Sequence, residues 1–238
     1  RLTAPAVGVT WERTGVRLSL RDDVVRVDSA LVRTGDGSMS VSGSVKLSEL
    51  SLGEFDLQAE LDEFQAMNNE AYRVRMSGNA ALRGTTAEPR LEGDLDLVET
   101  DVYLDDAVSS GASVRPVELT EEEIRRVEDY LGISVTKAER NPNPLFERME
   151  LDLSVSASRD TWVRQRANPE LEIQLSGNVQ VTKAPTDSLR LDGEIDAVAS
   201  RSYVEQFGRR FSIRQGRIEL RGTLPETRVD VLAVYDVP

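Results

Sequence analysis

Apolar and polar residues alternate with a period of two along most of this chain. Met39, Val41, Gly43, Val45 and Leu47 share one parity, and Ser40, Ser42, Ser44 and Lys46 share the other. The same alternation runs through Phe55, Leu57, Ala59 and Leu61, through Val74, Met76, Gly78, Ala80 and Leu82, and through Leu151, Leu153, Val155 and Ala157. A further run, Leu171 to Val181, sets Leu171, Ile173, Leu175, Gly177, Val179 and Val181 against Glu172, Gln174, Ser176, Asn178 and Gln180. Successive side chains of a strand point to opposite faces, so this pattern predicts an all-β chain whose sheet is dry on one face and wet on the other.

The strands repeat. Pro89 to Leu104 recurs 100 residues later as Leu189 to Val204, keeping Arg90/Arg190, Leu91/Leu191, Gly93/Gly193, Asp96/Asp196 and Tyr103/Tyr203. A shorter block, apolar-Ser-Gly-polar-apolar, occurs at Val41–Val45, Met76–Ala80 and Leu175–Val179. From Gly78 and from Gly177, the next apolar-face glycine, Gly93 or Gly193, follows at a hairpin's length. Recurring strand units of this kind predict a sheet extended by addition, working through its surface rather than through one pocket. Glycine is disfavoured inside a strand, so its recurrence on the apolar face marks either a bulge or close approach of something to the backbone.

Two segments depart from simple alternation. Near the C-terminus, a two-residue turn at Gln215-Gly216 is expected to pair Ile213 with Ile218 and Phe211 with Leu220, all facing one way. Asp105 to Pro144 is read as an inserted loop–helix–loop: Thr120 to Glu123 forms a capping box, Ile124, Val127 and Leu131 a helical stripe, and Gly132 a stop. The whole chain, residues 1–238, is expected to be a single elongated β domain carrying this insertion, and a fragment of a longer protein, since it begins with Arg1.

Composition narrows the chemistry. There is no histidine and no cysteine, which removes triads, imidazole acid–base steps, disulfides and thiolate metal sites. The net charge of -13 and scattered basic residues argue against a nucleic-acid footprint. Acidic pairs such as Asp22-Asp23 and Asp105-Asp106 lie beside arginines on the wet parity or in loops, so a solvated face accounts for them better than a catalytic or metal site. Gly35-Asp36-Gly37 is a turn between strands rather than a phosphate loop. No run approaches the roughly 18 apolar residues of a membrane-spanning helix. A non-enzymatic chain without cofactor or metal is expected, and any membrane anchor would lie outside it.

What remains is the apolar face. Two packed sheets, a sheet curled on itself, or a groove holding acyl chains would each cover it, and the periodicity is compatible with all three. In the groove reading, the lining comprises Val41, Val45, Leu57, Leu95, Leu97, Leu153, Ile173, Leu175, Leu191, Ile195, Ile213, Ile218 and Leu220.

The C-terminal third carries Leu191-Asp192-Gly193, Tyr203, Phe207-Gly208-Arg209-Arg210-Phe211-Ser212-Ile213, Gly216-Arg217-Ile218-Glu219-Leu220-Arg221-Gly222, Pro225, Val229 and Val231. This string resembles the TamB family, the inner-membrane component of a translocation and assembly module, related to AsmA-like and bridge-type lipid transporters. It departs from the family at Ser202 and Leu220, where members often carry glycine. The resemblance implies an elongated, curled, antiparallel-rich amphipathic sheet with an apolar inner groove. It further implies phospholipid acyl chains as ligand, transport between inner and outer membranes in outer-membrane biogenesis, a BamA-type outer-membrane barrel as partner, and a periplasmic location.

Overall fold

The computed structural model describes residues 2–4, 8–48, 51–105, 144–223 and 226–235. A short ribbon opens the chain, β1 (Leu2–Ala4) paired with β2 (Val9–Trp11). The twelve described strands after it form one sheet. These are β3 (Arg13–Arg21), β4 (Val24–Thr34), β5 (Gly37–Ser48), β6 (Ser51–Asn68), β7 (Tyr72–Gly84) and β8 (Pro89–Tyr103), then β9 (Glu150–Gln165), β10 (Glu170–Lys183), β11 (Arg190–Ala197), β12 (Tyr203–Gln206), β13 (Arg209–Gly222) and β14 (Arg228–Val234). One five-residue helix, α1 (Pro144–Arg148), precedes β9. The expected helix at 120–132 lies outside the described residues.

From β3 to β8 the chain is an up-and-down meander joined by tight turns. Asp22-Asp23, with φ of 44° and 63°, makes the β3–β4 turn, and Gly35-Asp36 makes the next, with Gly35 at φ 59°. Positive φ at both central residues, as at Asp22-Asp23, is the type I′ requirement, and positive φ at the first alone, as at Gly35, is that of type II′; aspartate tolerates such a φ better than most side chains. The acidic pair at the first turn is therefore turn chemistry.

β9 then pairs parallel to β8, from Arg90 opposite Glu150 to Tyr103 opposite Arg164. Parallel neighbours need a long crossover, and the segment between Tyr103 and Glu150 supplies it. The sequence signalled an insertion there but gave no sign of this consequence. The remaining pairs are antiparallel.

β11 and β12 occupy one lane between β10 and β13, interrupted by a 3-10 turn at Ala199–Arg201. Ser202, 4% exposed, stitches the break: its hydroxyl accepts from the Gln174 N–H at 3.1 Å and donates to the Val198 carbonyl at 2.8 Å. Val198 N–H donates to the Gln174 carbonyl and Ile213 N–H to the Ser202 carbonyl, so both neighbouring strands stay bonded across the gap.

The hairpin expected at Gln215-Gly216 does not form. β13 runs unbroken through it, and the turn lies at Phe207-Gly208, with φ of 54° and 70°. Gly216 lacks the positive φ that such a turn demands, while Phe207-Gly208 joins Gln206 and Arg209 as the closing pair. Phe211, Ile213, Ile218 and Leu220 nevertheless share a face, because a bulge between Ile213 and Gln215 shifts the parity by one.

Candidate functional site

The pairing register shows which residues line up across the sheet. One rung runs Met39, Leu61, Gly78, Leu95, Val155, Val179, Gly193, Leu220. The next runs Val41, Ala59, Ala80, Gly93, Leu153, Val181, Leu191, Gly222. On the other side of the first lie Met76, Leu97, Ala157, Gly177, Ile195, Ile218 and Val229. All thirteen residues expected to line the groove fall on this one face. Residues that the sequence reading did not single out extend it to the edge, where Val16, Leu18 and Leu20 of β3 stand opposite Ala30, Val27 and Val25. The alternating rungs are polar, as in Ser40, Glu60, Asn79, Asp94, Ser154, Gln180, Asp192 and Arg221.

The glycines on the apolar face are there because a neighbouring backbone occupies the space of a side chain. A Cβ on Gly78 would lie 2.1 Å from the Asp94 carbonyl oxygen, and one on Gly177 would lie 2.2 Å from that of Glu194. Their φ values, 136° and 153°, are open only to glycine. Pairing of β7 with β8 is unbroken at Gly78, but on its other side β6 bulges between Leu61 and Phe64, so a close approach and a bulge coincide at that glycine.

The one other sheet among the described residues is the two-stranded β1–β2 ribbon, whose β2 meets β4 and β6, and β3 and β14 do not pair, so the large sheet is neither half of a full sandwich nor a closed barrel. Val41, Leu57, Leu95, Leu153 and Ile195 are half-buried by their neighbours in the sheet. At the edges exposure rises to 57% at Leu18, 66% at Leu20 and 65% at Val229. Ile213 and Leu220, at 1% and 9%, are the best covered of the expected lining. Polar residues that interrupt the face include Thr34, Thr100 and Thr161, all buried, and Lys183, whose Nζ donates to the carbonyls of Glu147 and Met149 at 2.7 and 3.1 Å. Their polar identity hid them from a reading based on apolar parity.

The wet face is held by charge pairing. Arg83 bridges Asp56 and Glu92, Arg75 bridges Glu63 and Glu99, and Arg217 bridges Glu194 and Asp196. Asp196 beside it pushes the Arg217 guanidinium further up. At one end, buried Asp101 pairs with Arg73 and Arg164, and Arg164 also stacks on Trp162, 5.0 Å from its ring centre. Arg210 lies 3.5 Å over Tyr203, whose hydroxyl donates to Glu170 at 3.0 Å. Burial, then this bond to a carboxylate, pushes the Tyr203 phenol up. Shallow hollows on this face are lined by Ser40, Ser42, Gln58, Glu60 and Asn79, and by Arg21, Arg26 and Asp28. Among the described residues no three acidic side chains converge as a metal site would require, and none of the described helices is long and apolar enough to cross a membrane.

No protein of curated description matches the chain. The family model for the TamB C-terminal domain matches residues 28–238, which include β5 to β14 and all thirteen lining positions. This chain belongs to the TamB family, components of an envelope assembly module.

Proposed function

We propose that this chain is a lipid-conducting section of an assembly module that serves outer-membrane biogenesis, carrying phospholipid acyl chains along its apolar face through the periplasm. The observation that carries the reading is the continuous apolar face, which crosses the sheet from Val41 to Leu220, the two-stranded β1–β2 ribbon being the one other sheet among the described residues. Each methylene taken from water onto such a surface contributes about 0.8 kcal/mol, so branched aliphatic rungs bind an acyl chain without a specific polar contact. The headgroups face solvent from the open side of the groove, and the wet face keeps the sheet's other side hydrated. By family, a BamA-type barrel in the outer membrane is the partner, and an inner-membrane anchor lies outside this sequence.

A photo-crosslinking residue placed at Leu57 or Ile195 is expected to capture phospholipid in cells, and one at Ser42 on the wet face is not. Ile195→Asp and Leu175→Asp, in chains that keep their strand content by circular dichroism, are expected to reduce co-purifying lipid seen by native mass spectrometry at least fivefold. Equal capture from both faces, or none from the apolar one, removes the proposal.

A further inference from the structure

Inside the sheet, arginines of the wet face are held from both sides. Arg83 of β7 lies between Asp56 of β6 and Glu92 of β8, and Arg75 of β7 between Glu63 of β6 and Glu99 of β8. Arg164 of β9 lies between Asp101 of β8 and Glu172 of β10. Each takes a carboxylate from both flanking strands. Opposite charges on neighbouring strands stabilise a sheet, and a guanidinium has donors enough to serve two carboxylates at once.

The edge strand β3 departs from this arrangement. Its wet parity carries Arg17 and Arg21, and β4 adds Arg26 and Arg33 on the same face. All four are exposed, and none has a hydrogen-bond or ion-pair partner among the described residues. Ser29 and Val24 stand opposite Arg17 and Arg21, so β4 sets no carboxylate across from either. Unpaired positive charge is thus gathered on one edge of a chain whose net charge is -13.

The apolar parity of β3 is equally incomplete. Val16, Leu18 and Leu20 are 58%, 57% and 66% exposed, whereas Leu57, Leu95 and Leu153 are half-buried by strands on both sides. β4 is the one neighbour of β3 in the sheet, so the outer row of β3 backbone N–H and C=O groups is open to a further strand. Backbone, charge and apolar surface all lack the same thing: an outer strand in which carboxylates alternate with aliphatic side chains. The edges of this chain do not supply it. A second copy of β3 would set arginine against arginine. β14 has exposed Val229 and Val231, but its other parity holds Arg228, Asp230 and Leu232, one carboxylate beside a further arginine.

We propose that the outer edge of β3 is a docking site for an extended segment of a partner protein in which carboxylates alternate with aliphatic residues. The segment adds to the sheet as a strand, with its aliphatics beside Val16, Leu18 and Leu20 and its carboxylates on Arg17 and Arg21. Its docking does not depend on lipid, and it lengthens the apolar face by one strand.

The probe is a blocked, fluorescently labelled peptide alternating valine and glutamate, nine residues long to match β3. By anisotropy it is expected to bind the purified chain about tenfold tighter than a valine–lysine counterpart, with an affinity that falls as salt rises. Arg17→Glu combined with Arg21→Glu, both at exposed positions, should reverse that preference in a chain that keeps its strand content by circular dichroism. Equal binding of the two peptides, binding of neither, or a preference that survives the double reversal overturns the docking. Two further results overturn it by naming another occupant. Capture of the chain on phosphatidylglycerol vesicles, lost in the double reversal while the glutamate peptide does not bind, assigns the arginines to a membrane surface. Concentration-dependent dimerisation lost in the same variant assigns the edge to a second copy.

Discussion

At the scale of single residues, this sheet depends on positions where a side chain is missing. Gly78→Ala or Gly177→Ala would force a Cβ onto a carbonyl oxygen in a backbone conformation closed to alanine. The backbone strain alone costs about 1–3 kcal/mol. Gly15, with nothing within 4 Å and no positive φ, is the control, and Gly15→Ala should stay within about 0.5 kcal/mol of the parent. Urea midpoints of the three variants test the contrast. Ser202 carries a different load: Ser202→Ala leaves the Gln174 N–H unpaired in a buried site, expected to cost about 1–3 kcal/mol. Glu226 gives a pH-dependent contact. Its carboxylate accepts the Thr223 N–H and hydroxyl at 3.0 and 3.1 Å, and the backbone bond above all holds it below the usual carboxylate range. A lowered folded pKa stabilises above the ordinary carboxylate pKa and fades as pH falls through the lowered one. The Thr223 amide resonance should therefore move with acidification below about pH 4.5 and stay still in Glu226→Gln.

At the scale of elements, parity was legible and connection was not. Period two placed Val41, Leu95, Ile173 and Ile195 on one face correctly, because a one-residue slip would put every apolar side chain in water. It could not locate the last hairpin: Gln215-Gly216 and Phe207-Gly208 both read as turns, and the choice fell to φ, which sequence does not display. The bulge at Arg214 mimicked a turn by reversing parity between Ile213 and Gly216. Deleting Arg214 should turn either Phe211 and Ile213 or Ile218 and Leu220 to the wet side. Hydrogen exchange in β14 is expected to accelerate at least tenfold as its pairing with β13 is lost. The glycines were recognised as special, and at Gly78 both readings hold together, with the Asp94 carbonyl in the space of a side chain and β6 bulging beside it. That these positions share one face was legible for the same reason as the strands, and Lys183 and Thr100 were not, since a polar side chain on that face breaks the parity that marks it.

At the scale of the whole molecule, the parallel step at β8–β9 orders the repeat. β7–β8 and β10–β11 are the two repeated hairpins, and in an unbroken meander they would point in opposite directions. With β8 and β9 parallel, both turn at the same end of the sheet, and Gly78 of one copy comes level with Gly193 of the other. That same step carries a kinetic consequence. Every other neighbouring pair closes across a short turn or a neighbouring strand, whereas joining β8 to β9 means closing a loop of 46 residues, 104 to 149. By loop-closure entropy this costs about 2 kcal/mol more than a four-residue hairpin. The chain should therefore fold as two blocks, β3–β8 and β9–β14, which form first and join last along one line. Native-state hydrogen exchange in low urea is expected to show the amides of β8 that face β9 opening together, ahead of the interior of either block.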